Sequence, residues 1–389
     1  MKYRKFGKLD FNVSSLGFGA MRLPMVDGNV DEKEATKMLY YAIDNGVNYV
    51  DTAYMYHFGQ SEEWLGKISK SYKDKVKFAT KLPSWSVNEK SDIDKYFNEQ
   101  LKRLDVECID FYLLHALNRK HWPKLKNLGI IEWAEKKIKS GQIGYLGFSF
   151  HDDHDTFKNI INDYDWTFCQ IQYNFMDIEN QAGKKGLEIA GSKNIAVIVM
   201  EPLLGGKLVN PPKIINEIWK RNSRNWNPVK WALQWLWDQK EISTVLSGMS
   251  SFDQVKENIE YAGQSGINML KKEELELFNI VREEYKKLTV IPCTKCGYCM
   301  PCPSDVNIPY NIDLYNQIKI FEKIDNARGN YSWMEQAKKI GIESKDERAK
   351  SCSQCGECEP KCPQNIPIMS WMKNIHEVLG EGTPYKENL

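Results

Sequence analysis

The stretch DEKEATKMLYYAIDNGVNYVDT, residues 31–52, carries the pattern that decides the fold. Ala35, Met38, Leu39, Ala42 and Ile43 recur at the three-and-four spacing of one helix face over Asp31–Asn45. Gly46 follows as a stop. Tyr49–Thr52 then reads as a short strand covered on both faces. Working outward, further strand candidates are Leu16–Ala20, Val76–Thr80, Ile109–Leu114, Ile143–Ser149, Phe168–Gln172, Ala196–Met200 and Ser243–Ser247. Charged, helix-periodic stretches separate them. Eight strands with crossover helices predict an α/β fold, a closed (β/α)8 TIM barrel. A doubly wound open sheet competes, but no Gly-x-Gly-x-x-Gly turn follows the first strand.

The stretch KKEELELFNIVREEYKKL near residues 271–290 is a charged helical pattern, and composition changes abruptly at Ile291-Pro292. We therefore expect a barrel over residues 1–285 and a small, mainly helical domain over 286–389. The tail contains a repeat: CTKCGYCMPCPSDVNIP from Cys293 resembles CSQCGECEPKCPQNIPI from Cys352. Helical periodicity over Ile312–Ile324 and Ser332–Ile340 lies between the two copies.

Eight of the ten cysteines fall in these two groups, which points to ligand chemistry. Cys108 and Cys169 lie in apolar segments and read as buried, inert thiols. The second group, Cys352-x2-Cys355-x2-Cys358-x3-Cys362-Pro363, has the spacing of a two-cluster ferredoxin, whose fourth cysteine serves the other cluster. The first, Cys293, Cys296, Cys299 and Cys302, is one residue shorter before its last cysteine. The expected assignment is two [4Fe–4S] clusters: Cys293, Cys296, Cys299 and Cys362 on one, Cys352, Cys355, Cys358 and Cys302 on the other. Tetrahedral zinc in each group is the competing reading, although zinc sites normally set two Cys-x2-Cys pairs apart.

Lys+Arg 53 against Asp+Glu 52 leaves a formal charge of +1, which exerts no long-range pull toward nucleic acid or an anionic membrane. No run approaches the roughly 18 apolar residues of a membrane span. The first residues, MKYRKFGKLDF, lack the apolar core of a signal peptide. A cytoplasmic protein, in a compartment reducing enough for thiolate clusters, is expected.

Polar residues gather at successive strand ends: Asp51, Tyr56 in the next loop, Lys81, then His115. In such barrels these ends converge on the mouth that carries the chemistry. A carbonyl that accepts a hydride needs a proton, and a phenol beside an ammonium releases one at lower cost. Tyr56 reads as the general acid, Lys81 as its tuner, Asp51 as the lysine's anchor and His115 as the donor that orients the carbonyl oxygen. Trp85 and Trp122 read either as pocket walls or as rim packing.

Residues 1–270 resemble the aldo-keto reductases through Gly17-Phe18-Gly19, DTAYMYHFGQSEEWLG from Asp51, Thr80-Lys81, IDFYLLHAL from Ile109 and GMSSFDQVKENI from Gly248. The tail resembles the two-cluster extension found on one branch of that family. The resemblance implies a nicotinamide dinucleotide, NADP or NAD, extended across the barrel mouth. It implies that Ser149 and Gln170 hold the carboxamide and that Met200 occupies the ring-stacking position. Lys207 would meet the pyrophosphate, and Gly248, Ser250, Gln254 and Asn258 the adenosine end. Gly248 and Gln254 stand where the family commonly carries Lys or Arg, and Phe150 follows Ser149 where Asn is frequent. The expected partner is a small carbonyl or alcohol substrate, with a ferredoxin or flavoprotein as electron-transfer partner. The other functional classes are an oxidoreductase fed by the clusters and a cluster-bearing sensor with an idle barrel.

Overall fold

The computed structural model describes residues 1–72, 74–293, 297–339 and 345–389, leaving aside the side chains of residues 69–71. The chain forms two compact units, Met1–Val209 with Trp226–Leu275, and Asn210–Asn225 with Glu276–Leu389.

The first unit is a closed barrel of eight parallel strands. They are β1 (Leu16–Gly19), β2 (Tyr49–Asp51), β3 (Lys77–Leu82), β4 (Ile109–Leu117), β5 (Ile143–Phe150), β6 (Phe168–Gln172), β7 (Ala196–Met200) and β8 (Ile242–Ser247). β8 pairs with β1 and β5 with β6, so no edge is left open. Helices α1 (Glu32–Asp44), α2 (Gln60–Tyr72), α3 (Lys90–Leu104), α4 (Ile130–Lys139), α5 (His154–Asp163), α6 (Gly183–Ser192), α7 (Pro228–Trp237) and α8 (Phe252–Gly263) alternate with them. In α1 the five apolar residues of the expected face are all buried. Asp31 caps it by accepting from the Glu34 N–H, and Gly46, at φ +96°, lets the chain turn off.

One end of the barrel is plugged. A short antiparallel hairpin, Tyr3–Lys5 with Asn12–Ser14, carries Phe6 into the barrel floor. Phe6 packs there on Phe111, with ring centroids 4.8 Å apart, and on Tyr49 and Phe168, the first residues of β2 and β6. This aromatic plug closes the strands' N-terminal end.

The charged stretch near 271–290 is helix α9 (Lys272–Lys287). The second unit continues with α10 (Ile308–Phe321), α11 (Ile324–Lys339) and α12 (Ile368–Leu379), packed through Ile312, Tyr315, Tyr331, Met372 and Ile375. Both cysteine groups lead into a helix, α10 or α12, that starts at an isoleucine. Ile340, the expected end of the second helical stretch, lies outside the described residues. No described helix is long and apolar enough to cross a membrane.

Candidate functional site

The barrel register brings the four polar strand-end residues together. Asp51 is the last residue of β2 and pairs with Ala79, two residues before Lys81. The Lys81 ammonium is fully buried and donates to Asp51 Oδ1 at 2.5 Å and to the Thr52 carbonyl at 2.6 Å. Its nitrogen lies 3.4 Å from the Tyr56 hydroxyl. The Tyr56 and His115 ring centroids are 6.2 Å apart, nearly edge to face. Tyr56 and His115 are each half-buried.

Electrostatics follow from this burial. Burial alone would lower the Lys81 pKa, but Asp51 and Tyr56 outweigh it and hold the ammonium above its ordinary value. Burial raises the Asp51 carboxyl while Lys81 draws it back down, and the short contact between them favours an ammonium–carboxylate pair. Burial also pushes the Tyr56 phenol above its ordinary value, and Lys81 offsets only part of that rise. The sequence shows a lysine to lower the phenol's pKa but not the burial that opposes it. His115 is pushed well below 6.5 by burial, Lys81 and His151, so its ring is neutral near neutral pH.

The backbone is strained where it aims these groups. His57 and Phe58, directly after Tyr56, sit in the left-handed region at φ +50° and +56°. His57 Nε2 accepts from the Leu23 N–H, tying the loop after β2 to the loop after β1. His115 does not end its strand. β4 runs on to Leu117 through a register shift between Leu114 and Leu117, with Ala116 at φ +50°. This is a bulge, a device that re-aims a side chain. Ser149 pins it, its Oγ accepting from the Ala116 N–H at 2.8 Å.

A buried network underlies the cradle. Glu62 accepts from Thr80 Oγ1 at 2.5 Å, from Gln100 Nε2 at 2.7 Å and from Arg103 Nη1 at 3.2 Å. Gln100 Nε2 also donates to the Lys81 carbonyl, and Arg103 Nη1 to the Tyr54 carbonyl. Helices α2 and α3 approach so closely that a Cβ at Gly66 would overlap the Arg103 carbonyl oxygen.

The remaining sequence-selected residues line the same mouth in part. Gln170 pairs in register with Ser149, and its Nε2 lies 3.6 Å from the sulfur of Met200. The buried polar atoms without a partner among the described residues include Gln170 Oε1, His115 Nδ1 and Asp51 Oδ2. Such orphans fit a polar ligand, because a buried donor or acceptor left unpaired is costly. Asn258 is buried and donates to Ser247 Oγ, while Gln254 Oε1 accepts from the Ser250 N–H at 2.9 Å. Gly248 faces Arg22, whose side-chain carbons would lie 3.1–3.3 Å from a Cβ there. Arg22 and Lys207 both draw down Glu201, whose carboxyl burial raises. Sequence reasoning passed over Arg22 and Glu201; the available signal was a charge just past the end of β1 or β7. Trp85 packs against His115 at 5.0 Å, whereas Trp122 is buried on Trp166 and donates to Asp163. Cys169 is buried, as expected; Cys108 is exposed, because its segment precedes β4 rather than entering it.

In the second unit, Cys302, Cys352, Cys355 and Cys358 border one cavity, with Cys299 on its wall. Cys293, Cys299 and Cys362 border another. Cys296 lies outside the described residues. Cys299, Ile308 and Ile368 line both cavities. Sulfur donors amid isoleucine, proline and methionine fit iron–sulfur ligation, and Cys302 and Cys362 each border the cavity lined by the other group.

A (β/α)8 barrel whose mouth holds a lysine–aspartate pair beside tyrosine and histidine defines a class of oxidoreductase. The model of the aldo/keto reductase family matches residues 15–265, and a 4Fe-4S dicluster domain matches residues 292–368. The chain belongs to the aldo/keto reductase family and carries a 4Fe–4S dicluster domain. It is similar to the aldo-keto reductase yakc [NADP(+)] of Schizosaccharomyces pombe, 28% identical over 54% of this chain and 63% of that relative's length. The uncharacterized oxidoreductase YqkF of Bacillus subtilis is 25% identical over 67% of this chain and 91% of its own. Among solved structures, the holo form of aldo-keto reductase AKR11C1 from Bacillus halodurans superposes with a TM-score of 0.61 at 25% identity, over 72% of this chain and 96% of that one. An aldo-keto reductase from Klebsiella pneumoniae in complex with NADPH shares the fold, with a TM-score of 0.59 at 22% identity over 72% and 95%.

Proposed function

We propose that the barrel mouth reduces an aldehyde or ketone to an alcohol, or runs the reverse, with a nicotinamide dinucleotide as hydride partner. The observation that carries this reading is the buried Lys81 ammonium held between Asp51 and the Tyr56 hydroxyl. When bound, the nicotinamide supplies or accepts the hydride. Tyr56 gives its proton to the carbonyl oxygen as the carbon gains that hydride, and Lys81 balances the phenolate that remains. In the reverse direction the phenolate takes the alcohol proton. A phenol held above its ordinary range is still protonated at neutral pH, which suits the reducing direction. Neutral His115 orients the carbonyl oxygen, and Trp85 forms a wall of the substrate pocket.

Gln170 and Ser149 would hold the carboxamide, Met200 would pack on the ring, and Lys207 with Arg22 would meet the pyrophosphate. Gly248, Ser250, Gln254 and Asn258 would cradle the adenosine end. The NADP(+) in the yakc name and the NADPH in the Klebsiella complex favour NADP; the uncharged Gly248 and Gln254 keep NAD in play. Tyr56→Phe in anaerobically prepared protein should lower aldehyde-dependent NADPH or NADH oxidation by about 10²–10⁴-fold. Undiminished turnover in that variant would sink the tyrosine mechanism.

In the tail, Cys293, Cys296, Cys299 and Cys362 would hold one [4Fe–4S] cluster and Cys352, Cys355, Cys358 and Cys302 the other, in a reducing, cytoplasmic setting. The walls common to the two cavities favour a second reading, in which a ferredoxin or flavoprotein exchanges electrons through the clusters. Dithionite-reduced protein that converts substrate without added nicotinamide would support it; strict dependence on nicotinamide would exclude it.

A further inference from the structure

Helix α10 carries two buried asparagines, five residues apart, whose side chains leave the helix to grip backbone elsewhere. Asn316 Oδ1 accepts from the Val290 and Ile291 N–H groups at 3.0 and 2.8 Å, and its Nδ2 donates to the Ile291 carbonyl at 2.8 Å. The gripped residue stands two before Cys293. Asn311 Oδ1 accepts from the Ala349 N–H at 2.9 Å, and its Nδ2 donates to the Glu347 carbonyl at 2.9 Å. That grip ends three residues before Cys352. Asn311 is fully buried and Asn316 is 5% exposed.

We propose that Asn316 and Asn311 are positioning residues for cluster assembly, each setting the entry of one cysteine loop. This rests on the two-cluster reading of the tail. An asparagine amide offers acceptor and donor together, so it holds a backbone segment in both position and direction. Chain ordering opposes the gathering of four thiolates, and a loop whose first residue is already anchored has less freedom to lose. The same helix presents Ile308 to both cavities, so grip and cavity wall belong to one rigid element. In each loop the first cysteine N–H bonds back to the gripped segment, Cys293 to the Ile291 carbonyl and Cys352 to the Ala349 carbonyl, and the Lys350 N–H bonds to the Tyr331 hydroxyl.

The test uses full-length protein reconstituted anaerobically, with iron and sulfide counts followed by cysteine alkylation and peptide mass spectrometry. Wild-type protein with about eight irons and all eight tail cysteines protected upholds the two-cluster reading, and a different stoichiometry ends that reading by itself. Asn316→Leu should keep about half the iron and expose Cys293, Cys296 and Cys299 to alkylation. Asn311→Leu should expose Cys352, Cys355 and Cys358 instead. The fourth cysteine exposed in each variant, Cys362 or Cys302, reports separately on the ligand exchange. If a leucine variant fails to fold, Asn316→Ser is challenged with an iron chelator, and at least tenfold faster release from the first site is expected. Full, equally inert loading in the variants, or simultaneous loss of both clusters from each, overturns the positioning role.

Discussion

The barrel mouth and the cysteine cavities solve the problem of holding a reactive site in opposite ways. At the mouth, the chemistry-bearing side chains hold one another: Lys81 is bound by Asp51 and Thr52, and Glu62, Gln100 and Arg103 brace the backbone beneath. In the tail, thiols gather from segments some sixty residues apart, and the braces, Asn311 and Asn316, act on the chain ahead of them. The first site is organised by its own charges. The second depends on the group its cysteines bind, so the two should respond differently to the same insult.

The largest expected contrast comes from removing iron. A chelator under anaerobic conditions should abolish the cooperative melting of the second unit and spare a barrel transition, as followed by calorimetry. Equal loss of both transitions would erase the contrast. Next in size is Lys81→Met, which strands the buried Asp51 carboxylate. It should cost the barrel about 3–5 kcal/mol in denaturant titration and leave the iron content unchanged. Glu62→Gln weakens the Arg103 and Thr80 contacts and should cost about 1–3 kcal/mol. Its effect on turnover should exceed that on substrate KM, because the braced carbonyls belong to Lys81 and to the loop leading to Tyr56.

The smallest effect is a pH dependence confined to the barrel. His115 binds its proton less readily when folded, so the unfolded chain protonates first as pH falls through 6.5. Its contribution to stability is present above that pH and is lost as pH falls toward the folded value. His115→Asn should flatten this part of the barrel's stability profile and leave the tail's alone. An unchanged profile in that variant would assign the drift to other groups.

Much of this was legible one segment at a time. Strands Phe168–Gln172 and Ala196–Met200 match the expected bounds residue for residue, and the buried face of α1 is the one its spacing implied. Other features were hidden by their non-local causes. Asn210–Asn225 belongs to the second unit although its sequence lies amid barrel elements. The bulge at His115 depends on Ser149 from another strand. Asn316 looks like any polar residue on a helix until Ile291 is brought beside it.

Hydrophobic period and cysteine spacing act between residues close along the chain, so the order of letters alone determined an eight-strand barrel followed by a paired cysteine repeat. Burial, by contrast, is set by neighbours distant in sequence. Only the folded chain decided that Tyr56 is raised despite its lysine and that Gln170 and Asp51 keep unpartnered oxygens.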